Sequence, residues 1–389
     1  MNRIHRIHQK VETHFSTTAW TYGTVGANRG GATFSNIANF AMRRNHQPIR
    51  RPLRLGFVAL ADSAPMVMAS ELGLYAKHGV DVELHREVGW ATVRDKIIHG
   101  ELEAAQAPAG LVVAANSGLG CVQTDCLTGL VLNLHGNAIT LSQRLWKKGV
   151  RDGVTLRREI TESGQRYVLG VVHSYSAHSF ILRNWLRAHR IEPARDVQIV
   201  VVPPAQMHAN LKAGHLDGYC AGEPWNSLAV LSKTGWCPAT SEELAPRHPE
   251  KVVMVRRDFA ERAEREHLAL IAALTEACEF CQQPENRERL IETLAQPHYV
   301  GAPIQALRMS LAGTFDYGNG RVEKHSSFHI FSGAGVNEPS AEMAQWVIRN
   351  MLASGVVADP ALLPVERATA WFRADIFRQA VPFLSSKRT

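Results

Sequence analysis

The stretch LRLGFVALADSAPMVMASELGLYAKHGVDVEL, residues 53–84, decides the fold class of this chain. It opens on Leu53-Arg54-Leu55-Gly56-Phe57-Val58, a short apolar-rich run that predicts a strand. A loop follows, then a helix expected from about Ala64 to Lys77, and Gly79-Val80-Asp81-Val82-Glu83-Leu84 predicts the next strand. Ala91 to His99 predicts a further helix. Strands alternating with helices of about ten residues make βαβ units and a mostly parallel sheet, so the fold class is α/β.

The alternation continues outward from there. Strands are expected near Leu111 to Ala114, Leu130 to Leu134, Val168 to Val172, Val197 to Val202 and Gly218 to Ala221, with helices at Ser176 to His189, Pro204 to Ala213 and Glu223 to Lys233. After about Ala260 the pattern becomes helical, with segments at Ala260 to Gln282, Asn286 to Ala295, Pro303 to Thr314 and Ser340 to Ala353. The expected division is a basic extension over 1–51, an α/β lobe over 52–165, a second over 166–255, and a helical return to the first lobe with a C-terminal region over 256–389. Ligands of open α/β sheets collect at the carboxyl ends of the strands, so the loops there are where chemistry is sought.

The 389 residues, 45% hydrophobic and 20% charged, supply about two domains and a sizeable core. No window approaches the roughly 18 uninterrupted apolar residues that cross a bilayer. The net charge of +7 suggests a nucleic-acid partner until it is located: residues 1–51 hold eight Lys/Arg against Glu12 alone, and the remainder is balanced. That extension is rich in Asn, Thr, Ser, Gly and Arg without hydrophobic periodicity, so it is expected to be disordered. Its most apolar piece, Phe34 to Met42, is broken by Ser35, Asn36 and Asn39 and precedes Arg43-Arg44, unlike a secretory leader. Six scattered cysteines, including the single pair Cys278 and Cys281, read as reduced structural thiols, and with the lack of a secretory-type leader they lead to the expectation of a cytoplasmic protein.

Enzyme signatures are missing: there is no G-x-S-x-G, Walker A, H-E-x-x-H or dinucleotide-binding glycine motif. What remains are polar and aromatic residues at the ends of predicted strands. Trp90 opens a helix after Val88-Gly89, where its indole could face a cleft, although by composition alone it reads more simply as a core side chain. Asn137, after Leu132 to Gly136, reads as a ligand or as part of a turn. His178 stands at a helix N-terminus behind Ser174-Tyr175-Ser176, a place that favours anions and also ordinary solvent exposure. Lys251 reads most simply as surface charge.

Two segments, Val201-Val202-Pro203-Pro204-Ala205-Gln206-Met207 and Gly218-Tyr219-Cys220-Ala221-Gly222-Glu223-Pro224-Trp225-Asn226, resemble the bacterial solute-binding proteins of nitrate, nitrite, cyanate and bicarbonate ABC transporters. Gly56-Phe57-Val58 with Asp62-Ser63-Ala64-Pro65, Gly73 to Ala76, Gly89 to Asp95 and Gly136 to Leu141 extend the likeness over about residues 52–350. The resemblance implies a bilobed, type II periplasmic-binding-protein-like fold with a helical C-terminal region and an anion in the interlobe cleft. It implies Trp90, Asn137, His178 and Lys251 as nitrate ligands, with Pro203, Gln206, Gly222 and Glu223 supporting the pocket, and no cofactor. A lysine at 251, where the bicarbonate branch carries an acidic residue and calcium, argues for nitrate or nitrite without metal. One ammonium with neutral N–H donors is enough to replace the thin hydration shell of a planar monoanion.

Within that resemblance the leader favours the cytoplasmic nitrate/nitrite sensors, which hold an ANTAR-type RNA-binding antiterminator of nitrate assimilation genes and release it on binding nitrate. The alternative is the capture subunit of an ABC permease, located in the periplasm. A weaker one is an enzyme like the thiamin-pyrimidine synthases, although the chain has no matching cysteine cluster.

Overall fold

A computed structural model of the chain describes residues 51–368 and 370–385. The strands in chain order are β1 (Leu53–Val58), β2 (Val82–Glu87), β3 (Ala104–Pro108), β4 (Cys126–His135), β5 (Asn137–Ser142), β6 (Tyr167–Val171), β7 (Val197–Val201), β8 (Gly218–Gly222), β9 (Gly235–Thr240), β10 (Pro249–Arg256), β11 (Thr314–Gly318), β12 (Arg321–Lys324) and β13 (His329–Ile330). The disorder expected for 1–51 falls, apart from Arg51, outside the described residues.

Two sheets carry the architecture. One has the order β13-β4-β10-β3-β1-β2 and the other β7-β6-β8-β5-β9. Within each, a parallel βαβ core forms as the alternating pattern predicts: β1 pairs with β2 and β3, and β6 pairs with β7 and β8. Each core is then completed by an antiparallel strand that runs directly to or from a crossing into the other sheet. Strand β10 lies between β3 and β4, and β5 lies between β8 and β9.

The chain passes between the sheets at Gly136, separating β4 from β5, and again through the helix Ser241–Leu244 and the loop before β10. The sheets therefore move the expected boundaries. The second lobe begins at Asn137, not at 166, because β5 crosses as soon as β4 ends. It ends near 240, not at 255, because β10 fills a slot in the first sheet.

Other departures have local causes. The apolar run around Leu111 to Ala114 is a fully buried helix, Ala109–Asn116, preceded by β3; a short buried helix and a buried strand have the same hydrophobic signature. The region after 256 is not helical throughout. Asn319 and Gly320, with φ of 53° and 90°, turn β11 into β12, an Asn-Gly hairpin. The long helix Glu264–Gln282 buries Leu270, Ile271, Leu274 and Cys278 against β4 and the helix Ala64–Glu71, while Ile139, Leu169, Leu182, Trp185 and Trp236 fill the second lobe. All six cysteines are free, and five are buried.

The crossing at Gly136 is tightly built. His135 and Gly136 both have positive φ, 63° and 92°, and a Cβ on Gly136 would lie 2.3 Å from the His329 ring. Burial leaves that ring little room to retreat. Gly136→Ala is expected to lower stability by about 1–3 kcal/mol through strain and overpacking, read as a lower urea midpoint with an unchanged slope.

Candidate functional site

The crossings place side chains from both sheets at one buried locus. From the first come Asp62, in the turn Ala61–Ser63 after β1; Trp90, first residue of the helix Trp90–Ile98; Gln106 on β3; and Glu250 and Lys251 on β10. From the second come Asn137, first residue of β5, and His178, on the first turn of the helix Ala177–Ala188 behind its cap Ser176. Trp90, Asn137, His178 and Lys251 are each at most 1% exposed. The fold thus brings together four residues that are far apart in sequence.

The centre is the Lys251 ammonium. Its Nζ lies 2.7 Å from Asp62 Oδ2 and 2.6 Å from Glu250 Oε1, and 5.3 Å from the centre of the Trp90 ring. Consecutive residues of a regular strand point to opposite faces. Glu250 and Lys251 meet because β10 loses its register against β4 between Pro249 and Val252. The expectation of a single ammonium free to meet an anion is therefore corrected: two buried carboxylates hold it. Lys251 is not surface charge, since it sits in the middle of the first sheet.

Both carboxylates have further partners. Glu250 Oε2 accepts from Asn137 Nδ2 at 2.6 Å and bonds His248 Nε2 at 3.1 Å, and His178 Nδ1 stands 3.6 Å from Oε1. Asp62 Oδ1 accepts from Gln106 Nε2 at 2.5 Å, and Gln106 Oε1 accepts the Val58 N–H. Burial pushes both carboxyls up. For Glu250, the Lys251 ammonium and the hydrogen bond with His248 outweigh burial and hold it well below the usual range, whereas Asp62 stays raised. Burial opposes the charge on Lys251, but Asp62 and Glu250 keep its pKa above the ordinary value. Burial also drives His178 down to about 3, so its ring is neutral.

The Trp90 indole N–H, both ring nitrogens of His178 and Asn137 Oδ1 are buried and, among the described residues, have no hydrogen-bond partner. Each such orphan costs about 1–3 kcal/mol. Two of the four are N–H donors, the indole of Trp90 and one nitrogen of the neutral His178 ring, and an oxyanion beside the ammonium would satisfy both. Gly222 pairs with Asn137 across β8 and β5; a Cβ there would lie 3.4 Å from Asn137 Oδ1 and 3.6 Å from Asp62 Oδ2. A side chain at 222 would press on both polar atoms and on Leu60 Cδ2, 3.2 Å away. Among the described residues no trio of His, Cys, Asp and Glu is set to hold a metal ion.

The expected supporting residues divide. Glu223 is buried and ties the lobes: its carbonyl accepts the Ala61 N–H, its N–H donates to Gly136 O, and its Oε2 accepts from Ser310 and Ser227. Pro203 packs beside Gly89. Gln206 is not brought to the pocket. It is exposed, and its carbonyl accepts from Asn210 on the helix Met207–Ala213. Sequence reasoning assigned no role to Asp62, Gln106, His248 or Glu250. The one available signal was a charged pair, Glu250-Lys251, directly before the apolar run Val252 to Val255.

Residues 46–295 match the NMT1-like family. The bicarbonate transport ATP-binding protein CmpC of Synechococcus elongatus is 38% identical over 311 residues, 79% of this chain and 46% of that protein. The nitrate/nitrite binding protein NrtA of the same species is 32% identical over 295 residues, 73% of this chain and 67% of the relative. The chain spans about half the length of the first of these. Among solved structures, the periplasmic nitrate-binding protein NrtA from Synechocystis superposes with a TM-score of 0.80 at 27% identity, covering 86% of this chain and 89% of that one. The alkanesulfonate-binding protein SsuA from Xanthomonas axonopodis, with a TM-score of 0.61 at 17% identity over 82% of this chain and 97% of its own, shares the fold alone. The fold is periplasmic-binding-protein-like.

Two outcomes follow from the buried charges. Lys251→Ala leaves two carboxylates without their cation and is expected to cost about 3–5 kcal/mol in urea unfolding, so loss of ligand in that variant must be read beside its stability. His178 and His329 are held near 3 by burial, well below the unfolded value of about 6.5. The unfolded chain therefore binds more protons between those values, and stability falls as pH drops below about 6.5. Each of the two rings is expected to contribute roughly 2 kcal/mol of that loss at pH 5, measured as a urea midpoint lower than at pH 7.

Proposed function

The chain belongs to the NMT1-like family, and on that premise we propose that it captures nitrate or nitrite in the pocket of Trp90, Asn137, His178 and Lys251 as the solute-binding component of an ABC transporter. It is a binding protein and not an enzyme, in keeping with relatives and structural neighbours that are transport components and binding proteins. The observation that carries the reading is the set of unpartnered N–H donors buried around one ammonium.

A planar monoanion offers an acceptor to each of those donors at once. Lys251 supplies the charge; the indole N–H of Trp90 and a ring N–H of His178 supply direction; Asn137 borders Gly222. Because the donors come from both sheets, holding the anion also holds the lobes together. A ligand selects the arrangement in which it makes the most contacts, so capture and closure are one equilibrium. An ABC permease is the partner this scheme implies, and the likeness to the periplasmic nitrate-binding protein supports a periplasmic place over the cytoplasmic one expected from the sequence.

The finer reading, a cytoplasmic sensor that controls an ANTAR-type antiterminator, uses the same pocket and differs in what the closed form touches. Tagged protein recovered with the periplasmic fraction supports capture for transport; recovery with the cytosol and co-purification with an RNA-binding partner supports the sensor.

Isothermal titration with nitrate, nitrite, bicarbonate and cyanate tests the pocket. Binding of nitrate and nitrite in the micromolar range is expected, equivalent to about −8 kcal/mol. Trp90→Phe removes one N–H donor and is expected to weaken binding by about five- to tenfold, the value of one hydrogen bond. Gly222→Ala places a methyl group 3.2 Å from Leu60 Cδ2, a flexible side-chain end that shifts by a few tenths of an ångström, and beside Asn137 Oδ1 and Asp62 Oδ2, so the fold is expected to be kept while the anion is excluded. Heat with bicarbonate alone, or undiminished nitrate binding by Gly222→Ala, would overturn the assignment.

A further inference from the structure

We propose that this protein takes up one proton together with each anion, and that Asp62 is the residue that receives it. The inference rests on the anion-binding reading above and deepens it. Its basis is a count of buried charge. One ammonium faces two carboxylates, at 2.7 Å and 2.6 Å, so the trio Lys251, Asp62 and Glu250 already carries one net negative charge. A monoanion arriving among them has its attraction to Lys251 offset by two like charges at similar range, in surroundings where screening is weak. A proton taken from solvent removes one of the two repulsions.

The hydrogen bonds decide which carboxylate receives it. When the ammonium turns toward an anion, Glu250 still has Asn137 Nδ2 and His248 Nε2 on its Oε2. Asp62 keeps only Gln106, and that contact is on Oδ1; its Oδ2 is bound by Lys251 and nothing else described. Losing the ammonium therefore strands Asp62 Oδ2 alone. A proton placed there turns a repelling acceptor into an O–H donor on the side that faces Gly222.

The titratable and charged groups around Asp62 are few. Lys251 and Glu250 face it from β10, with His248 beyond Glu250. His178 comes from the helix Ala177–Ala188, its ring neutral and its nitrogens unpartnered. Glu223 follows Gly222, its Oε2 held by Ser227 and Ser310. Burial raises the Asp62 carboxyl, whereas Lys251 and the hydrogen bond with His248 hold Glu250 down, which ranks the two acids in the same order as their hydrogen bonds do.

The test is titration of the full chain with nitrate at several pH values, in HEPES and in Tris, whose different ionisation heats report the protons exchanged. Uptake of about one proton per nitrate is expected, with the Kd weakening about tenfold for each pH unit above the Asp62 pKa of the free protein. Asp62→Asn, which presents an N–H donor in place of the O–H, is expected to bind with no proton uptake and a flat pH profile. If Asp62→Asn fails to fold, the unaltered protein still decides: nitrate should bring up the infrared C=O band of a protonated carboxyl. Nitrate binding with no proton exchanged, or proton uptake retained in Asp62→Asn, overturns the proposal and leaves the anion site standing. No heat from any anion at any pH overturns the site itself, and the proposal with it.

Discussion

Everything in the pocket is arranged around one requirement: an ammonium removed from water must be compensated. Lys251 meets it with Asp62 on one side and Glu250 on the other, both fully buried. Pairs of this kind seldom add net stability, because desolvation offsets the attraction, but removing one partner leaves a charge that nothing else can neutralise. The site is thus intolerant of partial change, and its geometry is fixed by electrostatics more than by packing. The orphan donors of Trp90 and His178 lie in the same neighbourhood, so the compensation is incomplete on the side where hydrogen-bond acceptors are missing.

The fold brings this about through two irregularities. Strand β10 slips its register against β4, which turns the neighbours Glu250 and Lys251 toward each other. The chain crosses between the sheets at Gly136, which makes Asn137 the first residue of the second lobe and sets it against Glu250. Neither feature belongs to the regular parallel cores. The βαβ units supply rigid walls, and the antiparallel strands inserted between them supply the chemistry.

This division explains what could be read from the sequence. Most of the parallel strands and their helices were legible because they follow local periodicity: Leu53–Val58, Tyr167–Val171 and Gly218–Gly222 fall within a residue or so of their expected places, whereas Ala104–Pro108 had no counterpart. Strands β5, β9 and β10 were not, because they are short, follow a crossing at once or are paired with strands distant in sequence, and their slots exist only once both sheets have formed. Lys251 looked like surface charge for the same reason. Asp62 gave no hint of its own, since an acid after a strand is ordinary until a lysine nearly two hundred positions later is folded onto it. Trp90, Asn137 and His178 were each ambiguous alone, and the family likeness was what joined them before any coordinates did. Gln206, named on that likeness, lies at the surface.

The crossing at Gly136 has one more consequence. The residues that grip a ligand begin immediately where the linkage between the lobes stops, with Asn137 on one strand and Glu250 on the other. Ligand preference and joint stiffness are therefore written in the same few positions. Descendants of this chain that changed what they carry would also have changed how readily they open, so diversification here should proceed through paired substitutions across the two strands.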